Sequence, residues 1–374
     1  KFLNTPEFKG DFMHYIKTAN APEAIANAWV MDFAGVLSPN ATKDTNKRNF
    51  ARIVAFTIFR NLKMKYLFII AMVFILSASG LVAKPSNTIT KLDTKTTELF
   101  DIHTAQLHAN NTIYAITISK IKSPKTQPKK YRIFYMLDGN GHLPIALNAL
   151  AKEYCKKDFL CDELDYVLLV GIGYGEKYAK IAFPPLRTRD YTPSIPKELL
   201  DSMDNKQNFL NGGGAQNFLE SFVQTIIPFV KSHITQSNLE LSKECGIFGH
   251  SFGGLFVLYA LSNATNDFNH FYAISPSLWW GNGEFIGQNR AIDFADIEGD
   301  SITLWIMQDT PKNPQTQTIN KENPRGKAKI NTKELATLIQ SQSNITPHYK
   351  AFQGYTHGSV VVPAFLEAIR DFAK

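Results

Sequence analysis

Ser251, Asp309 and His357 are the residue types of nucleophilic acyl chemistry, and they occur in a chain order that such chemistry uses. Ser251 lies in Gly249-His250-Ser251-Phe252-Gly253-Gly254, a G-x-S-x-G pattern. An apolar strand-like run (244–248) precedes it and an apolar helix-like run (255–261) follows. A serine on a sharp strand-to-helix turn has its Oγ lifted clear of the sheet, and the helix N-terminus behind it favours developing negative charge. Where a nucleophile sits on such a turn, the acid and then the histidine follow it in the chain.

Nine histidines are present and three follow Ser251: His270, His348 and His357. His270 and His348 open strand-like segments. His357 alone lies in a glycine-containing loop, Gln353 to Ser359, between a strand and an amphipathic C-terminal helix, so it is the expected base. The expected acid is Asp309, just after a strand at 302–307. There it would fix the imidazole tautomer. A Ser–His dyad oriented by a backbone carbonyl is the alternative. Two backbone N–H groups must face the developing oxyanion. Phe252 supplies one, and Gly139 or Asn140 the other, in the loop after the strand 132–137.

Positioning these residues calls for strands at 97–107, 112–119 and 132–137 as a meander, a helix at 142–153 and a strand at 165–172. A long loop, 174–211, follows. Next come a helix at 214–233, strand 243–248, helix 253–263, strand 270–275, strand 302–307, helix 331–342, strand 347–353 and helix 359–372. Strands alternating with helices imply an α/β fold, a mostly parallel sheet covered on both faces. The run Val170 to Gly175, VGIGYG, lacks the third glycine and following helix of a nucleotide loop and reads as a tight strand exit.

Several segments together resemble a known family: FYMLDGN, VGIGYG, Arg187-Thr188-Arg189-Asp190-Tyr191-Thr192-Pro193, GGGAQNF, GHSFGG, SPSLWW and GYTHGS, in this order. They are similar to the putative-esterase family of α/β-hydrolases, and most like its periplasmic siderophore trilactone esterases, which cleave enterobactin or salmochelin. The resemblance covers residues 95–374. It implies Ser251 and His357 as the catalytic pair and Arg187 facing an anionic substrate. This branch is described as lacking the usual triad acid, which favours the dyad over Asp309. It also implies no cofactor, and a small-molecule siderophore substrate that can arrive carrying ferric iron. Other readings are a general acyl or feruloyl esterase or thioesterase of the same fold, and a siderophore-binding protein that turns over nothing.

Arg187 and Arg189 flank Asp190; each is either a planar clamp for a catecholate or part of an ion pair with Asp190. Trp279 and Trp280 are candidates for stacking on an aromatic ring, and equally for the core. No His/Cys spacing suggests a metal site. Cys155 and Cys161 are placed to pair across a tight loop in an oxidising compartment. Cys245, in the strand before the elbow, reads as a buried hydrophobe.

The 374 residues carry a formal charge of +7. Residues 1–84 hold 11 Lys/Arg against 5 Asp/Glu, and the remainder 29 against 28. The basic excess therefore belongs to the leader and gives no support to nucleic-acid binding. Met64-Lys65 followed by YLFIIAMVFILSASGLVA has the form of a signal peptide over 64–84, with an uncleaved signal anchor as the alternative. Both place the hydrolase domain outside the cytoplasm, in the periplasm or secreted, with membrane contact only through the leader. Residues 1–63 form an unassigned extension, and no internal repeat is present.

Overall fold

Apolar runs alternating with amphipathic ones build a single eight-stranded sheet with helices on both faces. The computed structural model describes residues 91–124, 130–154, 156, 161–175, 184–237, 239–287, 289–295, 297, 302–312 and 326–374. All belong to the unit Asn87–Lys374. The leader, the extension 1–63 and the Cys155–Cys161 pairing lie outside the described residues. Among the described residues no helix is long and apolar enough to cross a membrane.

Strands β1 (Phe100–Ala109) and β2 (Thr112–Ile121) form an antiparallel hairpin. Its two turn residues, Asn110 and Asn111, have φ of 46° and 54°. That is the backbone twist a two-residue hairpin needs, and asparagine tolerates it. Then come β3 (Tyr131–Leu137), helix α1 (Gly139–Glu153) and β4 (Val167–Tyr174). The sheet order is β1-β2-β4-β3-β5-β6-β7-β8, so the expected meander is not formed. β4 inserts between β2 and β3, antiparallel to the first and parallel to the second. A strand–helix–strand crossover returns β4 beside β3, which takes the place a meander would give to β2.

The segment 174–211 is also not one loop. It contains α2 (Pro184–Tyr191) and a short helix Lys197–Asp201. Two prolines open α2 (positions 184 and 185), where their missing N–H groups cost nothing. Helix α3 (Ala215–Ser221), a π turn (Phe222–Ile226) and α4 (Ile227–Gln236) follow in one run. The remaining elements are β5 (Leu241–His250), α5 (Phe252–Asn263), β6 (His270–Ile274), β7 (Thr303–Thr310), α6 (Thr332–Gln342), β8 (His348–Gln353) and α7 (Val361–Phe372). Strands from β4 through β8 run parallel in the sheet.

Each face carries its own core. In β3, Ile133, Tyr135 and Leu137 face one cluster, and Phe134 and Met136 the other. This is the two-residue period of a strand buried on both sides. Helices α3 to α6 cover the first face, with Phe218, Phe222, Phe256 and Leu335 in its cluster. Helices α1 and α7 cover the second with Leu143, Leu147, Phe365 and Phe372. Every residue of β4 is buried. Its glycines serve packing rather than a strand exit. A Cβ on Gly171 would come 2.7 Å from Leu143 Cδ2, and one on Gly173 would occupy the space of the Asn140 side chain. The first turn of α1 thus lies directly on the strand.

Candidate active site

Parallel strands bring their C-terminal ends to one edge of the sheet, and the candidate residues meet there. Ser251 caps α5 with φ 61° and ψ −116°, a conformation that costs a non-glycine residue ~1–3 kcal/mol. The surroundings enforce it. Ser251 N–H donates to the Ile274 carbonyl at 2.9 Å, and the Ser251 carbonyl accepts from Leu255 and Ser277 N–H at 3.0 and 3.1 Å. A Cβ on Gly249 would collide with the Gly253 backbone, and one on Gly254 would lie 2.7 Å from the Ile274 oxygen. The glycines are therefore dictated by the close packing of the turn against itself and β6. Ser251 Oγ is 3.2 Å from Ser277 Oγ.

Asp309 belongs to β7 itself, one residue before its end, rather than to the turn after it. Its side chain is 1% exposed. His357 Nδ1 lies 3.2 Å from Asp309 Oδ1, and Gln308 Nε2 donates to the same oxygen at 3.1 Å. Asp309 N–H donates to Ser275 Oγ at 3.1 Å. Burial pushes the Asp309 carboxyl up. Hydrogen bonds from His357 and Ser275 more than offset this and hold it below its ordinary value. It is therefore an anion built to accept from an imidazole N–H. The His357 side chain is 40% exposed. Its loop is fixed locally: Thr356 N–H donates to Ser359 Oγ at 2.9 Å and Val360 N–H to the Thr356 carbonyl at 3.1 Å.

β3 and β5 are neighbours, so the first turns of α1 and α5 start side by side. A Cβ on Gly253 would be 3.5 Å from Asp138 Oδ2. Asp138 is left-handed (φ 56°, ψ 36°) and turns the chain from β3 into α1. Gly139 rests on β4, where a Cβ would come 2.7 Å from Gly171 C and Ile172 N. Backbone N–H groups of a first helical turn have no acceptor within their helix. Phe252 at one N-terminus, and Gly139 and Asn140 at the other, thus carry donors suited to an oxyanion. The Asn140 side chain has another task, donating to and accepting from the Tyr174 backbone.

A profile of the Putative esterase family matches residues 120–358, well over half the chain. The chain belongs to that family. It is similar to a siderophore enterobactin esterase of Emericella nidulans, 30% identical over 166 residues, 43% of this chain and 51% of the relative. The chain thus matches about half the length of that relative. It is also 27% identical over 271 residues to the ferri-bacillibactin esterase BesA of Bacillus subtilis, covering 70% of this chain and 84% of that one. Among solved structures, the siderophore hydrolase EstA from Aspergillus nidulans superposes with a TM-score of 0.56 at 21% identity, over 74% of this chain and 94% of its own. At that identity the likeness shows the α/β-hydrolase fold. Membership makes the chain a carboxylic-ester hydrolase.

In this esterase Arg187 is not placed as the resemblance implied, whereas Arg189 takes the ion pair that was one of its two readings. Arg187 was expected to face an anionic substrate. Its Nε and Nη2 instead grip the Asp138 carboxylate at 2.6 and 2.9 Å, and Nη2 also donates to the His250 carbonyl at 2.9 Å. The guanidinium lies 5.5 Å from the centres of the Tyr191 and Phe252 rings. It ties α2 to the ends of β3 and β5. Burial opposes ionisation of Asp138, but Arg187 outweighs it and holds the carboxyl below its ordinary value. Arg189 takes the ion pair with Asp190, at 2.7 Å, and Arg189 Nη2 donates to Thr112 Oγ1 at 2.8 Å. Tyr114 and Tyr174 hydroxyls also donate to Asp190, at 2.9 and 3.1 Å. Both arginines therefore hold α2 in place. Trp280 is core: it is 1% exposed, and its Nε1 donates to the Pro193 carbonyl at 2.9 Å. Trp279 is half-buried, its ring centre 5.3 Å from that of Phe252 beside the nucleophile. Trp280 meets the same Phe252 ring at 5.7 Å, but of the two only Trp279 keeps partial exposure.

Sequence reasoning missed Asp138, His142, His250 and Ser277. A polar His250 between the apolar β5 and the nucleophile was the available signal.

The Arg187 geometry makes a definite prediction. Arg187→Ala leaves the buried Asp138 carboxylate unpaired, which is expected to cost ~3–5 kcal/mol of stability. Turnover of a catecholate ester and of a small neutral ester should fall by similar factors, because the frame of both helix N-termini loosens. Denaturant melts and parallel assays check this. A selective loss on the catecholate alone, with stability intact, would restore Arg187 as a substrate ligand.

Proposed function

We propose that this chain is a serine esterase that opens the ester bonds of a catecholate trilactone siderophore. Ser251 Oγ attacks the ester carbonyl, and His357 takes its proton. Asp309 stabilises the imidazolium that forms. The oxygen of the tetrahedral intermediate gains its charge against the N–H of Phe252 and of Gly139 or Asn140. Collapse expels the alcohol, which receives the proton from His357. Water then gives its proton to His357 and attacks the acyl-Ser251 ester, and the carboxylate leaves with Ser251 restored. The chemistry rests on one observation above all: the His357–Asp309 pair stands at the same sheet edge as a serine held in a strained elbow.

The substrate class rests on the resemblance to siderophore esterases. One observation favours a second reading, a general acyl esterase. With Arg187 committed to Asp138, the cation expected to draw in an anionic siderophore is engaged inside the protein.

Mass spectrometry after incubation with apo and ferric forms of a catecholate trilactone, beside a generic short-chain ester, separates the readings. The expected result is a linear trimer one water heavier than the trilactone after the first cut, with dimer and monomer after further cuts, formed much faster per ester bond than the short-chain ester is cleaved. Turnover of the short ester with an intact trilactone would replace the proposal by the general acyl esterase. No turnover of either would leave the binding protein.

A further inference from the structure

His250 precedes the nucleophile and is buried. It is 6% exposed, and its Nε2 is buried without a hydrogen-bond partner. Buried polar atoms are nearly always satisfied, so an orphan of this kind calls for a reason. A leucine or phenylalanine would fill the volume without it. The surroundings supply one. The His250 ring lies 4.4 Å from the His357 ring, centre to centre, at an angle of 46°. On its other side is His142 of α1, edge-on at 5.7 Å. Its own carbonyl is held by Arg187. The ring thus lies tilted against the imidazole of His357, with His142 in contact with it as well.

We infer that His250 is a positioning residue for the base, a neutral planar wall that holds the His357 ring in line between Asp309 and Ser251. The inference rests on the reading of His357 as the base. The His357 loop is exposed, and the ring's hydrogen-bond partner is the Asp309 carboxylate on β7. One contact leaves a ring free to swing about it. A second contact with a flat face removes that freedom, and near-attack geometry is sensitive to small displacements. The wall also has to be uncharged. An imidazolium forms on His357 in each half of the reaction, and a second positive charge at that ring separation would oppose it. The groups that face His250 are His357 in the loop after β8, His142 on α1, Asp138 at the end of β3 and Arg187 on α2. Burial, and then the neighbouring His357, His142 and Arg187, disfavour its protonation, against Asp138 alone. Nε2 is buried and has no protein partner to which it would pass a proton. The role is shape and neutrality, not relay.

The test uses His250→Ala and His250→Phe in the full chain, assayed on a neutral p-nitrophenyl ester, with Ser251→Ala and His357→Ala alongside. His250→Ala should lower kcat by ~10–100-fold with KM unchanged. His250→Phe, which restores a flat neutral face, should recover most of that loss. The acid limb of kcat/KM in the unaltered enzyme should be a one-proton limb. As a readout independent of turnover, the ¹⁵N-detected imidazole spectrum should show one His357 tautomer in the unaltered enzyme and an average of two in His250→Ala. This second measurement decides the matter if His250→Phe fails to fold. Unchanged kcat and one sharp tautomer in His250→Ala would overturn the inference. So would a two-proton acid limb that His250→Ala reduces to one. Retained turnover in Ser251→Ala or His357→Ala would instead overturn the underlying catalytic reading.

Discussion

Ser251→Ala should abolish all but ~10⁻⁶ of ester turnover, and His357→Ala should do nearly the same. The double variant should be little worse than either. Nucleophile and base are two halves of one proton transfer, so removing one leaves the other without a task. The fold should survive each change. Ser251 is a strained residue on a turn secured by backbone bonds to Ile274, Leu255 and Ser277, none of which uses its hydroxyl. The hydroxyl's own partner, Ser277 Oγ, is retained at the site in the alanine variant. Single-turnover and steady-state assays on a chromogenic ester check the prediction. Losses that multiply in the double variant would mean that the two residues act independently, and the pairing would be abandoned.

Asp309→Asn should cost ~10⁴ in turnover. The carboxylate accepts from the imidazole at Nδ1, which leaves the other ring nitrogen free to take the proton of Ser251. An amide in the same place can present its NH₂ to Nδ1 and so favour the opposite tautomer. Gln308 Nε2 donates to the same oxygen that His357 meets, so an amide turned this way also gives up that bond. This prediction decides between a triad and a dyad. If the imidazole were oriented by the backbone alone, the substitution would cost less than ~10-fold, a barrier change of ~1.4 kcal/mol. The melting temperature of the variant separates lost orientation from lost packing, because Asp309 is buried.

The elbow was legible in the sequence because its glycines answer to sterics within a few residues: Gly249 against Gly253, Gly254 against Ile274. His357 was legible from chain order and from its loop. The contact of Asp309 with His357 was among the expectations, although Asp309 was assigned to a turn, because a strand end limits where a triad acid can stand. Its pairing with His357 at 3.2 Å departs from the dyad that the family resemblance favoured. What failed was long-range partnership. Nothing near Arg187 in the chain announces Asp138, 49 residues earlier, as the group its guanidinium will grip. A charged residue in a suspected specificity segment therefore looked like a substrate ligand. The order of the strands failed for a related reason. The crossover that inserts β4 beside β3 is a property of handed packing, and no local residue pattern records it. His250 was passed over because a histidine inside the motif looked like a spacer; only the ring that lies against it gives it a role.

The bond between Arg187 and Asp138 also bears on how such a site can change over generations. Either residue lost alone strands a charge in the interior, at a cost that is a large share of a domain's whole stability. Both lost together, with apolar replacements of similar volume, need cost little. Between those two tolerable states lies a poorly folded intermediate. Substitution by single steps is therefore blocked in both directions, and the pair behaves as a ratchet: hard to acquire, harder to shed. Variation in what this scaffold accepts is more open at half-buried positions beside the elbow, such as Trp279 against Phe252, which do not carry a buried charge.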